Sequence, residues 1–77
     1  MAVKIYTTST CQWCKKTKAF LKENKVAFTE VDVGANAKAG EEMIEKSGQS
    51  GVPVTIANGK IIVGFDEGKL REALGLK

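Results

Sequence analysis

The sequence predicts an α/β domain in which a four-stranded mixed sheet is covered by three helices, in the order β-α-β-α-β-β-α. Three observations carry that expectation. Strand-like and helix-like apolar spacing alternate as far as Gly48. An Asn58-Gly59 pair separates two short runs rich in β-branched residues. The two cysteines of the chain, Cys11 and Cys14, fall where the first strand gives way to the first helix.

Each element has its own justification. Val3-Lys4-Ile5-Tyr6 reads as a short strand. Helical spacing follows from about Gln12 to Glu23, with Cys14, Thr17, Phe20 and Leu21 on the inner side. Asn24 is expected to close that helix in the left-handed conformation, which asparagine tolerates. Ala27 to Val33 is the second strand, with Val31 and Val33 on one face. Strand, crossover helix and strand imply parallel pairing with a right-handed connection. Gly34-Ala35-Asn36 is a turn, and Asn36 is the N-cap of a helix carrying Ala39, Met43, Ile44 and Ser47 that stops at Gly48. Val52 to Ile56 and Lys60 to Val63 flank Asn58-Gly59, a type I′ hairpin signal because both residues accept positive φ. Asp66 then caps a last helix carrying Leu70, Ala73 and Leu74.

Composition narrows the function. The chain of 77 residues is expected to form one domain, 1–77, near the lower size at which a single core suffices. With 43% hydrophobic and 27% charged residues it fits a globular domain, and no run approaches a membrane span. Met1-Ala2-Val3-Lys4 lacks a basic segment followed by an apolar stretch, so a cytoplasmic location and no membrane partner are expected. Net charge is +3, with Lys15, Lys16, Lys18, Lys22 and Lys25 crowded after the cysteines. Those lysines fit either a solvated helix face or a positive field around Cys11. No aromatic-interleaved basic stretch accompanies them, so nucleic acid is not expected as a partner.

Cys11-Gln12-Trp13-Cys14 carries the chemistry. A cysteine at a helix start lies beside unpaired N–H groups and the positive end of the helix dipole, a setting that favours thiolate over thiol. The thiolate is the nucleophile of disulfide exchange. Cys14, one turn on, is placed to attack a mixed disulfide on Cys11. Zinc needs about four ligands, and the chain offers two cysteines and no histidine, so no metal is expected. A structural disulfide here would close almost no loop and stabilise little. Redox use is the economical reading.

Tyr6-Thr7, Thr10-Cys11-Gln12-Trp13-Cys14, Gly51-Val52-Pro53 and Gly64-Phe65-Asp66-Glu67 resemble the successive signatures of the glutaredoxin family, in family order and over essentially the whole chain. The resemblance implies the thioredoxin fold and a monomeric disulfide oxidoreductase serving electron transfer and cell redox homeostasis. Glutathione is implied as the reductant, with no bound cofactor, and disulfide-containing proteins as substrates. By position, Cys11 is similar to the attacking cysteine and Cys14 to the resolving one. Trp13 stands where the family has an aromatic beside the bound thiol. An X–Pro bond is ordinarily trans, but the resemblance implies a cis Val52-Pro53 bond that leaves Val52 backbone groups for a peptide-like ligand. Gly64, Phe65, Asp66 and Glu67 form a glycine turn and a capped helix start. By resemblance they also form the subsite for the γ-glutamyl end of glutathione, where backbone N–H groups suit an anion.

The chain also departs from the family pattern. Thr8 stands where many glutaredoxins have a lysine, which removes one cation near the glutathione glycyl carboxylate. Gln12 replaces the usual proline and adds an N–H that proline lacks. The Gly64-Phe65 pair also resembles glutaredoxin-like redoxins that take electrons from thioredoxin reductase and feed ribonucleotide reductase. A further class among the relatives is a dimer that holds an iron–sulfur cluster with glutathione as additional ligand.

Overall fold

The computed structural model describes residues 3–76. Strands β1 (Val3–Thr7), β2 (Thr29–Asp32), β3 (Val54–Ala57) and β4 (Lys60–Val63) alternate with helices α1 (Gln12–Glu23), α2 (Ala37–Ser47) and α3 (Glu67–Leu74) in the expected order. The sheet runs β2-β1-β3-β4. β1 pairs parallel with β2, placing Ile5 opposite Glu30. β1 pairs antiparallel with β3, and β3 antiparallel with β4. This is the mixed sheet with a parallel first half and an antiparallel hairpin. Asn58 and Gly59 both have positive φ, at 52° and 76°, as a type I′ turn requires.

Alternation along β1 divides the core between the two sheet faces. Val3 and Ile5 point to α1 and α3, where they join Phe20, Leu21, Ala57, Ile62, Leu70, Ala73 and Leu74. Tyr6 points to the other face and meets Met43 of α2 and Val54. There the Tyr6 hydroxyl donates to Glu42 Oε1, which also accepts from Lys4 Nζ at 3.0 Å. Those bonds hold the Glu42 carboxyl down to about 2. Among the described residues no helix is long and apolar enough to cross a membrane.

Four local expectations need correction. Asn24 caps α1 but with φ −91°, and the left-handed residue is Lys25, at φ 58°. Val26 N–H bonds Leu21 O and Lys25 N–H bonds Lys22 O, a closing pattern that puts the left-handed residue one place beyond the cap. β2 covers Thr29–Asp32 rather than 27–33; at its C-terminal end Asp32 Oδ1 accepts from Gly34 N and Ala35 N and turns the chain. β3 starts at Val54 rather than Val52, since Pro53 has no N–H to give a ladder, and it extends to Ala57. Ile44 is 46% exposed, because α2 turns Met43 rather than its neighbour towards the sheet.

Candidate active site

β1 ends at Thr7, and the chain turns through Thr8 before α1 begins, with Cys11 N–H bonded to Thr8 O at 3.3 Å. Cys11 is the N-cap of α1, extended at φ −85° and ψ 114°. Its sulfur accepts the Cys14 N–H at 3.1 Å, taking the place of the oxygen of an ordinary N-cap. Both cysteines are free thiols, Cys11 half-buried and Cys14 buried. Cys14 is 1% exposed, and burial, reinforced by the Cys11 hydrogen bond, pushes its thiol up to about 11. Helix geometry thus separates the pair into one sulfur that can be reached and one that is covered.

Beside Cys11 lies a groove of about 270 Å³ lined by Trp13, Val52, Pro53, Gly64 and Phe65. The Val52-Pro53 bond is cis, as expected. The Val52 carbonyl oxygen lies 3.9 Å from Cys11 Sγ, and the Val52 N–H has no hydrogen-bond partner among the described residues. Gly64, at φ 77°, takes a conformation that any side chain would strain, and its N–H bonds Pro53 O at 2.8 Å. That bond joins the two chain segments forming the groove floor. Trp13, 56% exposed, stacks on Phe65 with ring centroids 6.3 Å apart. Phe65 in turn meets Phe20 edge-on at 6.0 Å, which anchors the groove wall to the core.

Asp66 caps α3, its Oδ1 accepting the Lys69 N–H at 3.1 Å. Glu67 does not line the groove, and its carboxylate binds Arg71 one turn later, at 2.9 Å. The structure therefore gathers Cys11, Trp13, Val52, Pro53, Gly64 and Phe65, with Cys14 covered close by, Asp66 at the adjoining helix start and Glu67 turned to Arg71. A larger hollow of about 410 Å³, between β4 and α3, contains none of these residues.

Two of the lysines crowded after the cysteines have partners that the sequence did not assign. Lys16 Nζ sits 4.5 Å from the Trp13 ring centroid. Lys18 Nζ binds Glu30 Oε2 of β2 at 2.8 Å, and Thr7 Oγ1 donates to the same oxygen at 2.8 Å. The spacing of Lys18 from Cys14 on one helix was visible in the sequence, whereas its partner on β2 was not. Among the described residues no group of three or more His, Cys, Asp or Glu is placed to hold a metal.

Comparison with known proteins gives this geometry a family. Residues 3–62 match the Glutaredoxin family model. A glutaredoxin-like 8.6 kDa protein in the rubredoxin operon of Clostridium pasteurianum is 50% identical over 88% of this chain and 91% of its own length. The crystal structure of a glutaredoxin from Archaeoglobus fulgidus superposes with a TM-score of 0.88 at 35% identity, covering 96% of this chain and 87% of that one. The glutaredoxin-like NrdH-redoxin of Escherichia coli, whose structure is described as the basis of a thioredoxin-like activity profile, superposes at 0.83 with 26% identity over 94% of this chain and 93% of that one. A match across most of the chain, on a strand-to-helix CxxC beside a cis-proline, means that this chain belongs to the glutaredoxin family.

Proposed function

We propose that the protein is a dithiol oxidoreductase that reduces disulfides of proteins, or their mixed disulfides with glutathione, through Cys11 and Cys14 in the cytoplasm. The observation that carries this reading is the asymmetry of the two sulfurs. Cys11 Sγ caps α1 at the groove, while Cys14 is covered and held protonated. The Cys11 thiolate attacks one sulfur of the substrate disulfide, forms a mixed disulfide and expels the other sulfur as a thiolate. Cys14 loses its proton and attacks Cys11 Sγ, releasing the second substrate sulfur with its electron pair. Two electrons pass to the substrate, and a Cys11–Cys14 disulfide remains for a reductant to reopen. The groove residues Trp13, Val52, Pro53, Gly64 and Phe65 receive the substrate, and the free Val52 N–H pairs with its backbone. Asp66 and the start of α3 face the γ-glutamyl end when the ligand is glutathione.

Glutathione is the reductant this reading favours. A second reading takes electrons from thioredoxin reductase and passes them to ribonucleotide reductase. It is favoured by the uncharged Thr8 and by the likeness to NrdH-redoxin. NADPH oxidation with a small disulfide decides between them. Rapid turnover with glutathione and its reductase supports the first reading. Turnover with thioredoxin reductase alone, without glutathione, replaces it by the second. If neither system turns over, the oxidoreductase proposal fails.

A further inference from the structure

We infer that Lys18, held by Glu30 and Thr7, assists the resolving step by stabilising the negative charge Cys14 carries as it attacks the Cys11 mixed disulfide. This rests on the dithiol reading above and deepens it.

Cys14 and Lys18 are one turn apart on α1, so their side chains lie along the same helix face. The ammonium is not free to wander. Glu30 Oε2 on β2 holds it at 2.8 Å, and the same oxygen accepts from Thr7 Oγ1 of β1. Thr7 is 1% exposed, so one end of this link is fixed in the core, while the Glu30 side chain itself stays 39% exposed. Lys18 is also the most covered of the four ion-paired lysines among the described residues, at 27% side-chain exposure. Glu30 stays ionised, because Lys18 first and Thr7 second keep its carboxyl below the usual carboxylate range.

The need for such a charge follows from the burial of Cys14. In the mixed disulfide the Cys14 thiol gives up its proton, its sulfur bonds to Cys11 Sγ, and the departing substrate sulfur leaves with the electron pair and takes up a proton. Burial opposes ionisation of Cys14, and in the reduced protein the free Cys11 sulfur adds to it; once Cys11 is bound in the mixed disulfide, burial is what remains. The Thr8 backbone and Lys18 act the other way, with Glu30 and Lys22 as the charges next to Lys18. Thr8 directly follows Thr7, so the strand that anchors Glu30 also positions the backbone at Cys14.

The plainer role for the Lys18–Glu30 pair is a tie between α1 and β2, and kinetics separates the two. Reduced protein is mixed with excess of the chromogenic disulfide dithiobis-nitrobenzoate and release of nitrothiobenzoate is followed by stopped flow. The first, bimolecular phase reports Cys11, and the second, concentration-independent phase reports resolution by Cys14. Lys18 is the smallest of the influences on Cys14, so losing it lowers the thiolate fraction by at most about tenfold, partly offset because a more basic thiolate is a better nucleophile. The second phase of Lys18→Met should therefore slow by up to about threefold at neutral pH, with its pH profile moved upward. The first phase should stay within about twofold, and Lys18→Arg should restore the second. An unchanged second phase, an equal slowing of both phases, or Lys18→Arg no better than Lys18→Met overturns the inference alone. A wild-type protein that shows no second phase overturns the dithiol reading, and the inference falls with it.

Discussion

The starts of α1 and α3 face each other across the groove through Trp13 and Phe65, and they are built alike. Each has an extended cap residue whose side chain accepts the N–H three residues on, at 3.1 Å in both. The accepting atom differs. In α3 it is the carboxylate oxygen of Asp66, backed by Glu67 in the first turn; in α1 it is the sulfur of Cys11, with no acidic residue in that turn. The positive end of the α3 dipole is thus already met by two carboxylates, while that of α1 is left to the sulfur. One hydrogen bond finishes a helix in both places, but only in α1 does it also hold the sulfur that we propose as the nucleophile.

Cys11→Ser breaks the comparison most sharply. Serine is a good N-cap, so stability by chemical denaturation should change by less than about 0.5 kcal/mol. Disulfide reduction should fall by at least about a thousandfold, because the attacking atom is gone. If Cys11→Ser instead unfolds the protein, the sulfur's hydrogen bond matters chiefly to the fold. Asp66→Ala is the counterpart at α3 and should cost about 1 kcal/mol of stability. Asn36→Ala, which removes the matching cap of α2 away from the groove, should cost a similar amount and leave the KM for glutathione unchanged.

Alkali also separates the two helix starts, since ionising Cys14 puts a buried charge beneath α1 and none beneath α3. The folded thiol is raised to about 11 from an ordinary 9.0, so its contribution is fully present below pH 9.0 and is lost as pH rises through about 11. Tyr6 and Lys4 are raised as well and add to the loss at high pH with the same sign. Melting temperature should therefore drop across that window, and the drop should be shallower in Cys14→Ser. Thr8→Lys supplies the cation missing near the groove. It should lower the KM for glutathione by up to about fivefold, as for an exposed ion pair, and the gain should shrink in high salt. Asp66→Asn, which keeps a capping oxygen, should change stability by only a few tenths of a kcal/mol. A rise in the KM for glutathione in that variant would assign the carboxylate to the ligand's ammonium, and an unchanged KM would leave Asp66 with the cap alone.

Much of this was legible in the residues themselves. Helical spacing from Gln12 to Glu23, the caps Asn36 and Asp66, the stop at Gly48 and the Asn58-Gly59 turn are relations among residues a few places apart, and the structure keeps all of them. The cysteine pair at a strand-to-helix junction is of the same kind, which is why its placement could be read early. Where local rules failed, a single hydrogen bond or a neighbouring element had intervened. Asp32 turned the chain at the end of β2, the closing bonds of α1 moved the left-handed residue to Lys25, and Met43 rather than Ile44 took the inner place on α2.

Periodicity, capping and turn chemistry act over one helical turn or one strand pair, so the sequence by itself determined the order of elements and the position of the two sulfurs at a helix start. Which distant side chains meet was decided only by sheet order and by the packing of helices on its two faces. The pairing of β1 with β2 sets Glu30 within reach of Lys18 and Thr7. The placement of α3 sets Phe65 against Trp13 and Phe20. Glu67 pairs with Arg71, one turn along the same helix, an i,i+4 contact that helix geometry supplies. Burial of Cys14, which makes two chemically identical thiols unequal, likewise exists only once α1 lies on the sheet, because removal from water is a property of the assembled core and of no residue alone.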